Sequence, residues 1–444
     1  MTRPTATPRD AKPALTPNLR FPEFRDGPGW DGKPMGEVYS FKGNNSLSRD
    51  KLNYEHGTVK NLHYGDIHTK FATLFDITKE PVPFISPAES LDGLRAENYC
   101  VEGDMVFADA SEDLEDIGKS IELVRLNGER VVSGLHTILA RPGAGELALG
   151  FGAYLFKSKR VRVQIQKESQ GAKVLGISAT RLTKIQLPIP PTKAEQQKIA
   201  ECLSTLDELI GAEGQKLDAL KAHQKGLMQQ LFPRESETIP RLRFPEFHSA
   251  PGWTKKKIGR VVTPVVRERD KPSTAYTGLG LRSHGKGTFL KNAENPDKNS
   301  MEVLFEVKCD DLILNITFAW EGAVAIAKDC DDGALVSHRF PTFTINTEES
   351  IPGFLRYVIL DKQFVYNLGV ISPGGAGRNR VLNKRDFLGL SFLLPGIEEQ
   401  KHIATCLSSL DDLIAARSER LAALETHKQG LLQQLFPSPA AASA

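Results

Sequence analysis

Two stretches of this chain are nearly the same. Residues 195–233 read EQQKIAECLSTLDELIGAEGQKLDALKAHQKGLMQQLFP, and residues 399–437 read EQKHIATCLSSLDDLIAARSERLAALETHKQGLLQQLFP. At a fixed offset of 204 they share 23 identities over 39 positions without a gap. A shorter motif repeats upstream at an offset of 223: Arg20-Phe21-Pro22-Glu23-Phe24 then Pro28-Gly29-Trp30 returns as Arg243-Phe244-Pro245-Glu246-Phe247 then Pro251-Gly252-Trp253. The 444 residues are therefore two copies of one plan: a leading motif, a globular region and a long helix. The ends of the copies match and the middles do not. That pattern suits a shared scaffold carrying two different recognition surfaces.

The repeated segments read as helices. Pro190, Pro191 and Thr192 followed by Glu195 make a capped start, and Leu-Phe-Pro makes the stop. Apolar residues recur at alternating spacings of four and three, a narrow heptad seam. In the first copy it runs through Ile199, Leu203, Leu206, Ile210, Leu217, Leu220, Leu227 and Leu231. In the second it runs through Ile403, Leu407, Leu410, Ile414, Leu421, Leu424, Leu431 and Leu435. Only Glu213 and Gln224, then Arg417 and Lys428, interrupt it. Two unrelated amphipathic helices would not break at matching places. The short connection after Pro233 favours antiparallel pairing, in a register that sets Glu213 against Lys428 and Gln224 against Arg417. A parallel pair would also match polar with polar, so the charges fix register better than direction. A slip of one heptad would bury Glu213 against leucine, an unfavourable placement for a charge.

Short β-type runs mark the globular regions: Val106–Phe107, Val131–Val132 and Val161–Val163 in the first, Leu312–Ile316 and Ala323–Ala327 in the second, with a helical piece near Phe354–Leu360. The expected fold class is α+β: two small mixed α+β domains joined by two long helices in an antiparallel coiled coil, with an internal pseudo-two-fold repeat. The expected boundaries are a flexible arm 1–18, a first domain 19–191, a first helix 192–233, a linker 234–241, a second domain 242–395, a second helix 396–437 and a flexible tail 438–444. Lys+Arg at 57 against Asp+Glu at 55 excludes a uniformly basic coat but not a local basic surface. No apolar run is long enough for a membrane span. The five cysteines, Cys100, Cys202, Cys309, Cys330 and Cys406, never form CxxC, which points to a reducing cytoplasm without a zinc site or disulfide framework.

Basic residues cluster before each helix. The first cluster contains Lys157, Lys159, Arg160, Arg162, Lys173, Arg181 and Lys184. The second contains Arg378, Arg380, Lys384 and Arg385 after a Gly-rich stretch, with Arg282, His284 and Lys286 forming a further basic loop. Glycines beside arginines suit a loop approaching a phosphate backbone, although any single run could equally be a solvated face. Gly280, Gly285 and Lys286 imitate a P-loop, but Gly287 stands where a magnesium-binding Ser or Thr is required. His56, His63 and His68 lack metal-ligand spacing and read as turn or core residues. His136 and His338 occupy similar contexts and could either touch nucleic acid or be buried. No catalytic cluster, and neither Asp-Pro-Pro-Tyr nor Asn-Pro-Pro-Tyr, is present.

Two variable regions, each followed by a helix that opens near Pro-x-x-x-Glu-Gln-x-x-Ile-Ala and closes in Leu-x-Gln-Gln-Leu-Phe-Pro, resemble the specificity subunit of a type I restriction-modification enzyme. The likeness covers about residues 19–437, and Gly-Ala-Lys-Val-Leu-Gly-Ile-Ser at 171–178 adds to it. It implies a non-catalytic protein with two target recognition domains, each reading one half of a bipartite double-stranded DNA site. It also implies helices that set the spacer and dock two methyltransferase subunits, with motor-nuclease (restriction) subunits joining for cleavage. By the same likeness, S-adenosylmethionine, ATP and Mg belong to those partners and no cofactor to this chain. A helical scaffold with two protein-binding domains is the alternative, separable by salt dependence.

Overall fold

The structure, a computed structural model, describes residues 15–298, 300–374 and 380–439. It divides into two compact units, Met1–Gly214 with Glu419–Ala444 and Gln215–Ser418. The repeated segments form helices over Lys193–Leu231 and Ile397–Leu435. The hydroxyl of Thr192 accepts from the Glu195 amide at 3.3 Å, the expected cap.

The first unit is built on a five-stranded sheet in the order Tyr39–Lys42, Thr137–Pro142, Met105–Ala108, Ser120–Arg125 and Leu74–Asp76; only the last pairing is parallel. A smaller sheet joins Val131–Ser133, Lys60–Leu62, Phe84–Ile85 and Leu52–Asn53. The second unit repeats the start of this plan and then departs from it. Its four-stranded sheet runs Val262–Val265, Thr342–Ile345, Leu312–Leu314 and Val324–Ile326. Its five-stranded sheet runs Glu268–Asp270, Val303–Glu306, Leu335–Val336, Tyr276–Leu281 and Thr288–Glu294. Pro352–Val358 is helical, as expected.

One expected strand is a helix. Val161–Val163 lies inside Lys159–Glu168, where Val161 and Ile165 are buried and Val163 is only half-buried. The alternation of valine with arginine imitates a strand, but the burial follows the four-residue spacing of a helix.

The leading motifs close each unit onto a scaffold helix. Arg20 donates to both Glu195 oxygens at 2.6 and 2.7 Å, and the Trp30 indole donates to the same carboxylate at 3.0 Å. In the second unit Arg243 reaches Glu399 at 2.8 and 2.7 Å, and Trp253 does so at 3.3 Å. Asp31–Pro34 pairs with Gln186–Ile189, and Thr254–Lys257 pairs with Ser391–Leu394, each strand leading directly to a helix start. The terminal phenylalanines fill the same corners. Phe436 meets Trp30 edge-on at 5.9 Å and stacks on Phe151 at 5.8 Å; Phe232 meets Trp253 edge-on at 5.6 Å and stacks on Phe354 at 5.6 Å.

Within each unit the helix halves run antiparallel. Ile199 and Leu203 share a core with Leu435, with Leu431 packed against it; Leu231 shares another with Ile403 and Leu407. Every seam residue from Leu206 and Ile210 through Leu217, Leu220 and Leu227, and from Leu410 and Ile414 through Leu421 and Leu424, is buried or half-buried. The register differs from the expected one. Lys428 pairs with Asp207, not Glu213, and Gln224 donates to Asp411, not facing Arg417, a displacement of six residues in each case. Glu213 is consequently buried, with Arg420 at 3.9 Å. The physical reason lies in the units. Tyr154 donates to Asp207 at 2.8 Å and Tyr357 to Asp411 at 2.5 Å, so each acid outside the apolar seam is fixed by its own domain and selects the polar partner.

Candidate nucleic-acid interface

The first basic run is largely used for structure. Lys157 bonds the Thr73 hydroxyl, and burial together with the nearby Lys428 pushes its ammonium down to about 8. Arg160 donates to the Ser438 carbonyl at 2.6 Å, and Arg162 to the Glu115 and Ile117 carbonyls at 2.8 and 2.7 Å; burial lowers both guanidiniums. Arg181 caps the Glu168 carbonyl at 2.9 Å. Lys159, Lys173 and Lys184 remain exposed.

In the second unit the scattered basic residues converge. The loop with Arg282, His284 and Lys286, all exposed, is sewn to the Phe318–Gly322 turn: the His284 amide donates to Glu321 at 2.7 Å and the Gly285 amide to Gly322 at 3.1 Å. Arg282 lies 5.0 Å from the Phe289 ring, and Arg380 lies 5.3 Å from that of Trp320, which belongs to the same turn. Phe318 is 42% exposed beside them. Lys384 and Arg385 are exposed at the start of the short helix Lys384–Gly389. Arg378 lies outside the described residues.

A shared hydrogen bond shows which end of the first unit corresponds. The Ile316 amide, just after the Leu312–Leu314 strand, donates to the Arg339 carbonyl at 3.0 Å, and the Asp109 amide, just after Met105–Ala108, donates to the His136 carbonyl at 3.0 Å. Arg339, not His338, is thus the counterpart of His136, which corrects the expected match by one residue. Around this end of the first unit stand residues from distant parts of the sequence. Tyr64 lies 4.7 Å from His63, 6.3 Å from His68 and 5.3 Å from His136, measured between rings. Arg49 grips Asp66 through two bonds of 2.7 Å, Lys70 joins the same acid at 2.9 Å, and Tyr54 is 52% exposed beside both cations. Burial and the Arg49 charge hold His63 below the usual imidazole range, and its ring accepts from the Gly65 amide at 3.1 Å. No local run announces this cluster; its members approach one another only when the sheets form.

Residues 30–222 match the family model of the type I restriction modification DNA specificity domain. Over most of its length the chain is similar to type I specificity subunits. The putative type I restriction enzyme MjaX specificity subunit of Methanocaldococcus jannaschii is 25% identical over 405 residues, spanning 88% of each chain. Among solved structures, the type I restriction-modification S subunit from M. genitalium covers 96% of this chain and 100% of its own at 14% identity, with a TM-score of 0.58. A chain from work on complex assembly and conformational transition of the type I R-M system covers 92% of this chain and 98% of its own at 16% identity, with a TM-score of 0.51. The likeness to both structures is one of fold, and it extends over both α+β units and the long helices of this chain. Among the described residues no three or more His, Cys, Asp or Glu form a metal-binding group, and no helix is long and apolar enough to cross a membrane.

Proposed function

We propose that this chain is the DNA-recognition subunit of a type I restriction-modification complex, each unit reading one half of a bipartite duplex site. The observation that carries this is the shared frame with unlike contents. The same backbone bond holds His136 and Arg339, while the surrounding side chains differ: exposed Tyr54, Arg49 and Lys70 in one unit, exposed Phe318 and Arg282 with half-buried Arg380 in the other. Cationic and aromatic groups together suit a ligand with phosphates and base edges. The paired helices serve as spacer and as the docking frame for two methyltransferase subunits. Motor-nuclease subunits join them, and methyl transfer from S-adenosylmethionine and ATP-driven, Mg-dependent cleavage reside on those partners in the cytoplasm.

The test is duplex-DNA affinity of the full chain against salt. Phosphate contacts release counterions, so affinity should fall by orders of magnitude between 50 and 200 mM salt if about six or more are made. A flat dependence would instead favour two protein-binding domains on a helical scaffold.

A further inference from the structure

We propose that the first unit reads its half-site through His136, seated on Asp109 and flanked by Tyr64, Arg49 and Lys70, and not through the basic run at 157–184. This inference rests on the DNA-recognition reading and assigns the specificity-determining residue of one half. Three observations meet at this side chain. It occupies the position of Arg339 in the second unit, where the exposed basic residues converge. Its backbone is left-handed, with φ of 56°, a conformation few non-glycine residues adopt and one that marks functional sites when the surroundings enforce it. Its Nδ1 faces Asp109 Oδ1 at 3.2 Å while the side chain stays 51% exposed, which leaves Nε2 as the ring nitrogen for a ligand.

The ligand class follows from that geometry. An imidazole fixed on a carboxylate and backed edge-on by the Tyr64 ring presents one polar atom in one direction, which suits a base edge better than a diffuse phosphate field. Arg49 and Lys70, both partly exposed, supply the charge that holds a backbone nearby. The basic run offers no comparable arrangement. Lys157, Arg160, Arg162 and Arg181 are committed to Thr73, Ser438, the Glu115 and Ile117 carbonyls and Glu168.

The experiment selects DNA from a random duplex library with the full-length chain and sequences the bound fraction. The variants are His136→Gly, which accepts the positive φ without strain, and His136→Asn, which tolerates it and keeps a polar tip. Lys173→Ala with Lys184→Ala tests the basic run. The wild type should enrich a two-part motif. Both His136 variants should lose or alter preference in one part by roughly five- to hundred-fold, with the other part and the spacer unchanged. The lysine variant should keep both parts. An unchanged motif in folded His136 variants overturns the assignment, as does an equal loss of affinity for all sequences, which would make His136 a phosphate contact. A wild type that enriches no motif removes the DNA-recognition reading itself, and this inference with it.

Discussion

Gln224 donates through its side-chain amide to Asp411 at 2.7 Å, and the corresponding place in the first unit holds Lys428 against Asp207. The same acid of each repeat is therefore met by a different partner, an amide in one unit and an ammonium in the other. Each acid also accepts from a tyrosine of its own domain, so helix register and domain position are tied together.

A double-mutant cycle should locate that register. Lys428→Ala and Asp207→Ala should couple by about 0.5–1 kcal/mol or somewhat more, given their partial burial. Lys428→Ala with Glu213→Ala should show no direct coupling of that size. Urea denaturation of the four proteins in each cycle decides; the reverse pattern would restore the register that the seam alone suggests.

The leading motifs should be essential to folding. Glu195→Ala leaves the Arg20 guanidinium, 7% exposed, without its carboxylate and removes the acceptor of Trp30. Stripping one partner from a buried pair costs about 3–5 kcal/mol. Glu399→Ala should do the same in the second unit through Arg243 and Trp253. Chemical denaturation should show an early transition in either variant, and wild-type stability in both would contradict the clamp.

Much of this architecture was legible in the sequence. The seam positions follow from leucine spacing and the antiparallel sense from the short connection after Pro233, because a 39-residue helical pattern occurs twice and leaves little freedom. The register was not legible. It is set by Asp207 and Asp411, which lie off the apolar stripe and whose roles come from tyrosines more than fifty residues away. For the same reason the basic run misleads: Arg160 and Arg162 read as surface charge, yet their guanidiniums satisfy backbone carbonyls. The cluster around Tyr64 draws on loops from Arg49 to His136, which only tertiary structure brings together. Arg20 and Trp30 were visible as a repeated motif, but the buried Glu195 that explains them looked like an ordinary first-turn acid.

Glu122 should give the first unit a pH-dependent stability. Burial raises its carboxyl to about 7, against amide donors Gly150 and Ala153, each at 2.7 Å, which lower it. Because the folded state holds this proton more tightly than the unfolded chain, the contribution is fullest below the unfolded value near 4.5 and is lost as pH rises through about 7. The loss is about 3 kcal/mol in total. Thermal melts at closely spaced pH values should show this slope, and Glu122→Gln should flatten it. An equal slope in the variant would contradict the assignment.

A fragment of residues 1–237 should pair with itself. It keeps the Met1–Gly214 part of the first unit and an exposed apolar seam, and an antiparallel two-fold pairing covers that seam. The observed register then places Gln224 of each copy against Asp207 of the other, since Gln224 takes the place of Lys428 in the repeat. Gln224→Lys should recreate the native ion pair twice and tighten the dimer. Sedimentation velocity measures this; a well-folded monomer persisting at micromolar concentration would contradict it.

The most direct measurement is a base-resolution map of DNA methylation in the host genome, with and without this gene. The account predicts an asymmetric two-part motif whose methylation disappears when the gene is deleted and returns when it is restored. Methylation that is the same in both strains, with the partner subunits expressed and active, would contradict it.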